Sequence, residues 1–453
     1  MIPITLKQLA EITKGTLYGS DTTVFNISTD TRQIQAGNLF MALQGKNHDA
    51  HKFISSAISA GCSSLVVSKR LHLPISHVVV NNTRIALGVI AQWVRQQSNA
   101  KVVAITGSSG KTSVKEMTAS ILHHCGNVLA TADTLNNDIG VPITLLRLCR
   151  AHQYAVIELG ANHPGELSYI SSLAQPESVL INNLSAAHLE GFGSLTGLSK
   201  AKGEVLQTLP PKGTAIINND SNDLPIWKNA LKGKNIWRFS SNHIKMCDFY
   251  VSCITRTQLS THFNLHTPQG CIAVMIPFFG QHHISNAVAA SALALSIGAP
   301  LHAIPQGLKN LQAIPGRLFP IPLTKHKLLI DDSYNANMGS MTTAVKVLAD
   351  RPGYRVMIVG NMKEMGDHAT AYHSQIGCII RYSGINKVLS IGSLGQYIAR
   401  ESHVGECFKD PETLSIRARE LLIQHQDITL LVKGSRGSHM ERIVKLLQES
   451  HAC

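Results

Sequence analysis

KVVAITGSSGKTS, residues 101–113, is the stretch on which the reading of this chain turns. Val102, Val103, Ala104 and Ile105 form a short apolar, β-branched run, which predicts a buried strand. Gly107 and Gly110 bracket a tight turn. Lys111-Thr112 then opens a segment whose Val114, Met117, Thr118, Ile121 and Leu122 share one face at helical spacing. A strand, a glycine turn and a helix beginning Lys-Thr cradle a polyphosphate, because backbone N–H groups at the helix start point at the anion and the helix dipole favours negative charge there. Gly107, Ser108, Ser109 and Gly110 form the cradle, Lys111 reaches the outer phosphates and the Thr112 hydroxyl ligates Mg²⁺. Only two residues separate the glycines, where the usual signature has four, so the loop is a shortened variant. A plain glycine turn is the competing reading, and it leaves Lys111-Thr112 unexplained.

Outward from this loop, residues 83–312 read as repeated strand–helix units. Runs at 155–160, 179–183 and 214–218 alternate with helical patterns, which predicts α/β architecture with a mostly parallel sheet and helices on both faces. Ligands then sit beyond the carboxyl ends of the strands. Residues 1–82 alternate short helices and strands. Thr5 and Gln8 form a capping box for a helix with Leu6, Leu9, Ala10 and Ile12 on one face, ended by Gly15, so the start is not read as a leader. Pro315-Gly316, Pro320 and Pro322 break the pattern, and residues 313–453 resume a βα series with strands at 327–330, 355–359, 388–391 and 428–432 and a helix from Ser340.

With 453 residues, 44% of them hydrophobic, the chain has material for several packed domains. The formal charge of +13 is scattered, without a basic block, and permits nucleic acid, a membrane surface or anionic small substrates as partners. The nine cysteines include no C-x-x-C pair, which argues against a disulfide framework and for a reducing, cytoplasmic setting. The most apolar long stretch, 287–297, is too short to span a bilayer.

Several residues stand out against blander roles. Glu158 ends a strand and is a natural metal anchor beside Thr112, or else a cap for the next helix. His188 follows the 179–183 strand, where a lone histidine is more often a packing residue. Lys202 falls on the inward stripe of a helix predicted over 195–209, with Leu198 and Val205, unless its stem merely snorkels to solvent. Ser28, Asp30 and Arg32 lie in a polar stretch that reads equally as turn formers or as a site for an anionic or hydroxyl-rich ligand. Asn286 opens a helix, Arg317 follows the Pro-Gly break, and Asp332 and Asn335 follow a strand. Residues 433–436, KGSR, form a second glycine-containing strand–helix junction with two cations.

Taken together, TGSSGKT, ELGANHPGE, AAHLEGFGS, AKGE, GQHHISNA, PGR, DDSYNAN and VKGSR resemble the Mur ligases, from about Ser28 to the C-terminal helix. The resemblance implies three Rossmann-like domains: 1–82 binding the UDP end of a sugar nucleotide, a P-loop-containing 83–312 binding ATP, and 313–453 closing over ATP and the incoming amine. It implies UDP-N-acetylmuramoyl-tripeptide and D-alanyl-D-alanine as substrates, amide formation through an acyl phosphate, a monomer, and no nucleic acid or membrane partner. Lys111 and Thr112 take phosphates and Mg²⁺. Two metal ions are implied, held by Thr112, Glu158, His188 and a carbamylated Lys202. Asn286 matches an adenine contact, and Arg317 and Asp332 match γ-phosphate and ribose contacts. Ser28, Asp30 and Arg32 fall in the nucleotide-sugar region, Asn136 and Asn137 in the muramoyl-peptide loop, and Asn335 and Asn337 near the dipeptide site. The chain departs from the family pattern at Asp133-Thr134, His283, Met338 and Asn361. Two rivals are a sister ligase adding the preceding amino acid, whose Asp-Asn-Pro-Arg motif is missing, and a basic P-loop ATPase acting on nucleic acid, which predicts basic clusters interleaved with aromatics.

Overall fold

The β-branched runs become strands whose alternate residues enter two different cores. This is a computed structural model; it describes residues 1–45, 48–187, 189–221, 224–242, 246–257 and 260–449. The central sheet is wholly parallel, in the spatial order Asn235–Phe239, Thr214–Asn218, Ser178–Ile181, Lys101–Thr106, Tyr154–Glu158, Val128–Ala130. Val102 and Ala104 pack into one core and Val103 and Ile105 into the other, as a sheet covered on both faces requires. From Lys101–Thr106 the chain runs to the Val128–Ala130 edge, returns to Tyr154–Glu158, and crosses to Ser178–Ile181. The direction of winding therefore reverses at the carboxyl end of Lys101–Thr106, where a doubly wound sheet opens a crevice.

The N-terminal sheet orders Thr16–Tyr18, Ser76–Val79, Ser64–Val67, Leu39–Met41 and Ile27–Ser28, parallel except at its first pair. Helix Thr83–Gln97, capped by Asn82, packs on helix Leu6–Thr13 and on helix Gly140–Leu146, so one core runs without interruption across position 82. The expected capping box of Thr5 and Gln8 is present. The helix end differs from the expectation: Lys14, with φ 53°, takes the left-handed position. Gly15 instead is small because a Cβ there would lie 2.7 Å from the Val79 carbonyl oxygen.

Residues 250–276 depart from the strand–helix repeat. Tyr250–Arg256, Thr261–Thr267 and Gly270–Ile276 form an antiparallel meander. Its Val251, Phe263, Leu265, Val274 and Ile276 cover the core beneath helix Gln281–Ser296. The C-terminal sheet orders Phe319–Pro322, Lys327–Asp332, Ile428–Lys433, Tyr354–Val359, Lys387–Ile391, Gly405–Phe408. Phe319–Pro322 is its antiparallel edge strand, where prolines cost no ladder bond on the outer side. Helix Met338–Ala349 begins before Ser340 because Asn337 caps it. The helix predicted over 195–209 is α-helical only for Leu195–Gly203 and tightens to a 3₁₀ turn over Glu204–Thr208. There the Glu204 carboxylate accepts the Gly165 and Ser168 N–H groups. Among the described residues no helix is long and apolar enough to cross a membrane.

Candidate active site

The phosphate loop forms where the sheet winding reverses. Gly107 and Gly110 both have positive φ, 147° and 77°. A Cβ on Gly110 would sit 2.6 Å from Asn182 Nδ2 and 2.7 Å from Asn286 Oδ1, so only glycine lets the loop pass between these asparagines. Asn182 and Asn183, at the end of the neighbouring strand, hold the loop: each donates from Nδ2 to the Ser109 carbonyl, and Asn183 Oδ1 accepts the Ser109 N–H at 2.9 Å. Asn182 Nδ2 also donates to Asn286 Oδ1. The sequence reading took Asn182 and Asn183 only as strand residues.

Behind the loop, Thr112 Oγ1 donates to Glu158 Oε2 at 2.8 Å, and Asn136 Nδ2 donates to Glu158 Oε1 at 2.8 Å. Glu158 caps no helix; the next one, Glu166–Ala174, begins at Gly165. Lys111 is half-buried and donates to the Gly107 carbonyl at 2.9 Å. Burial lowers its pKa, with Arg317 adding to the effect and Glu158 opposing it. Lys202 is 1% exposed, so it does not snorkel. Its ammonium lies 5.8 Å from the Phe192 ring centre. Burial first, then repulsion from Lys111, lowers its pKa to about 7, against the pull of Glu166 and Glu204.

The opposite wall belongs to the C-terminal sheet. Asp332 and Lys433 lie side by side in register on adjacent parallel strands, and Lys433 Nζ sits 2.7 Å from Asp332 Oδ2. Lys433 also donates to the Asn335 carbonyl at 2.8 Å, so the second cationic junction is half consumed internally. Burial pushes the Asp332 carboxyl up, with Lys433 pulling it back. The Arg317 guanidinium stacks 4.2 Å from the Tyr334 ring centre. Asn337 is committed at both ends: Oδ1 accepts the Ser340 N–H and Nδ2 donates to the Ser108 carbonyl at 3.1 Å. It ties the C-terminal sheet to the phosphate loop. Asn337→Ala is therefore expected to cost about 1 kcal/mol as a lost helix cap, read as a lower denaturant midpoint.

These walls enclose one cleft of about 620 Å³, lined by Ser108, Ser109, Gly110, Lys111, Thr112, Asn136, Asn137, Glu158, Lys202, Asn286, Arg317, Asp332, Asn335 and Asn337. Gly107 does not line it, and its carbonyl accepts the Lys111 ammonium. Ser28, Asp30 and Arg32 lie elsewhere, at the edge of the N-terminal sheet. There Arg32 pairs with Asp30 at 2.7 Å and holds its carboxyl below the usual range. His188 lies outside the described residues. The cleft also contains His282 and His283, whose Nε2 and Nδ1 respectively have no partner among the described residues. Burial keeps both neutral, with His283 lowered to about 4.

A phosphate loop, a buried hydroxyl–carboxylate pair and facing cations around a single cleft define an enzyme that uses a nucleoside triphosphate. Residues 105–294 match the Mur ligase middle domain and residues 316–436 the Mur ligase, glutamate ligase domain. The chain is 52% identical over 453 residues to UDP-N-acetylmuramoyl-tripeptide–D-alanyl-D-alanine ligase of Escherichia coli, covering 100% of each. It is 42% identical to the ligase of the same name from Haemophilus influenzae, again over 100% of each. The crystal structure of MurF from Acinetobacter baumannii matches with a TM-score of 0.93 at 36% identity, covering 99% of both chains. The chain belongs to the Mur ligase family.

Proposed function

We propose that this protein joins D-alanyl-D-alanine to UDP-N-acetylmuramoyl-tripeptide, converting ATP to ADP and phosphate and giving the pentapeptide precursor of peptidoglycan. The observation that carries the reading is the single cleft in which the phosphate loop and the loop bearing Asn335 face each other, tied by Asn337 and Ser108. The 52% identity to the Escherichia coli ligase extends over the whole chain and supports the same substrates.

A carboxylate is a poor acyl donor. The terminal carboxylate of the tripeptide attacks the γ-phosphorus of ATP, forming an acyl phosphate as the bond to ADP breaks. The dipeptide amine then attacks the acyl carbon, loses a proton, and phosphate departs from the tetrahedral intermediate. Catalysis of the first step is positioning and charge stabilisation. Lys111 exchanges its bond to the Gly107 carbonyl for the phosphates, and Arg317 faces them from the other wall. Asn286 and Asp332 take the adenosine; Asp332, already accepting from Lys433 and from the Leu318 N–H, keeps lone pairs for ribose hydroxyls. Ser28, Asp30 and Arg32 take the UDP end, and Asn136 and Asn137 the muramoyl peptide. Closure over the cleft keeps water from the acyl phosphate.

The donor set fits a hard cation. Thr112 and Glu158 present oxygens 2.8 Å apart beside the phosphate loop. That suits Mg²⁺, which takes one or two protein oxygens and fills its shell with phosphates and water. When bound there it would neutralise phosphate charge. A second ion, held by His188 and a carbamylated Lys202, belongs to the same proposal, as do a monomeric state and a cytoplasmic setting. The eight described cysteines are all free, which suits a reducing compartment.

ADP release measured with each substrate omitted in turn tests the reading. Turnover is expected only with both the muramoyl peptide and the dipeptide, with a product of the summed mass less water. Stimulation by DNA, or by a free diamino acid with UDP-N-acetylmuramoyl-dipeptide, would replace it with one of the rivals. The exposed Asn335 lines the cleft, and no hydrogen bond of its Nδ2 is seen among the described residues. Asn335→Ala is expected to raise KM for the dipeptide by about tenfold, the worth of one hydrogen bond, and to leave KM for ATP within about twofold. A rise confined to ATP would move the dipeptide site elsewhere.

A further inference from the structure

One helical turn beyond Lys111, the same helix carries a second lysine for which the reaction above has no use. Lys115 is 2% exposed. An ammonium sealed from water is costly unless its protons are matched. Here Nζ donates to the Thr131 carbonyl at 2.7 Å and lies 2.7 Å from Glu116 Oε1. Thr131 is itself a junction. Its N–H donates to the Val156 carbonyl, and its hydroxyl accepts the N–H of Glu158 at 2.9 Å. From Thr131 the chain enters the loop that returns to the same carboxylate, where Asn136 donates to Glu158 Oε1 and the Gly160 N–H donates to the Asn136 carbonyl. Asn137 Oδ1 then accepts the N–H of Gly140, the first residue of helix Gly140–Leu146, and Asp138 pairs with Arg84. The loop 131–138 is thus pinned at its tip by Glu158 and at its root by Lys115.

We propose that Lys115 is a positioning residue for the acidic wall of the cleft. By holding the Thr131 carbonyl it fixes both the backbone of Glu158 and the loop that presents Asn136 and Asn137. The functional part rests on the reading that this loop meets the muramoyl peptide. An apolar residue would fill the same space without the desolvation cost. What the lysine adds is a link from the phosphate-loop helix to a loop anchored at the opposite end of the carboxylate.

The test uses the full-length protein. In Lys115→Met the stem is retained and the donor lost. Amide hydrogen exchange in residues 131–138 is expected to accelerate at least about tenfold while residues 101–106 stay protected. The ratio kcat/KM for the muramoyl peptide should fall about 10–100-fold, as for a misplaced site, with KM for ATP within about twofold. Thr131→Val, which keeps the carbonyl and removes the hydroxyl, should shift the same constant, and it carries the test if Lys115→Met fails to fold. Combined with Asn136→Ala, the loss in Lys115→Met should be less than multiplicative, because both act through Glu158. Unchanged loop exchange and unchanged kinetics in Lys115→Met or Thr131→Val overturn the proposal, as does full multiplicativity with Asn136→Ala. If wild-type protein shows no turnover with these substrates, the functional reading fails instead, and the exchange data still decide whether Lys115 holds the loop.

Discussion

Lys111→Ala is expected to lower kcat by about 10²–10³ or more, the scale of removing one preorganised charge at a developing transition-state charge. The residue opens the helix after the glycine turn, and its ammonium rests on the Gly107 carbonyl within its own loop. That bond is local and exchangeable, so its loss should leave the thermal midpoint within a few degrees. The loop keeps its shape through Asn182 and Asn183, which do not depend on Lys111. Lys111→Arg should not restore the rate, because a guanidinium is larger and delivers its charge through a planar fork. Single-turnover formation of ADP, alongside circular dichroism of the same preparation, separates chemistry from folding. Near-wild-type turnover by a folded Lys111→Ala protein would remove the phosphate loop from the mechanism.

What could be read from the chain follows the range of the interactions involved. The four inner strands of the central sheet were legible because they are apolar runs buried on both faces, whereas the outer strands Val128–Ala130 and Asn235–Phe239 are only partly buried and went unread. The phosphate loop was legible because its chemistry lies within seven consecutive residues, 106–112. The meander at 250–276 had its own signal, period-two pairs such as Phe263/Leu265 and Val274/Ile276, but a strand–helix repeat was carried through it. Edge strand Phe319–Pro322 was hidden because Pro320 and Pro322 read as a break, which they are only inside a sheet. Lys433 and Asp332 meet through parallel register across about a hundred residues, and no local pattern encodes that contact. Asn182, Asn183 and Lys115 were invisible for a related reason. Short polar residues closing an apolar run read as the last residues of the strand, and Lys115 sits beside Glu116 like any solvated pair, though it is buried. Asn337 was expected near the dipeptide. It lines the same cleft as Asn335; its side chain also bonds the Ser340 N–H and the Ser108 carbonyl, which leaves Asn335 the exposed one of the two.

The largest further effect is expected at Lys202, where Lys202→Ala should lose most activity while keeping the fold. Helix Leu195–Gly203 turns this side chain inward, and the Trp227 indole N–H, donating to the Ser199 carbonyl, braces the helix from behind. The lysine lines the same cleft as Lys111, Thr112 and Glu158. As an ammonium it would add positive charge to a cleft already carrying Lys111 and Arg317. As the proposed carbamate it carries a negative charge and two oxygens, the ligand type that Mg²⁺ favours. Carbamylation needs the neutral amine, and a pKa lowered to about 7 leaves about half of it neutral at that pH. An unperturbed lysine would keep well under one part in a thousand neutral there. The sign for stability follows. The buried amine gives up its proton more readily than the unfolded chain does, so between about pH 7 and the unfolded lysine value this residue's contribution rises with pH. Lys202→Arg should fail as thoroughly as Lys202→Ala, since arginine stays charged and offers no neutral amine. Acetate or formate added to Lys202→Ala should return part of the turnover by supplying the missing oxygens, and should do nothing for Lys202→Arg. Enzyme depleted of CO₂ should lose activity and recover it with bicarbonate, and ¹³C-labelled bicarbonate should give a carbamate resonance that Lys202→Ala lacks. Full activity in protein whose Lys202 is shown by mass and ¹³C spectra to be unmodified would rule the carbamate out.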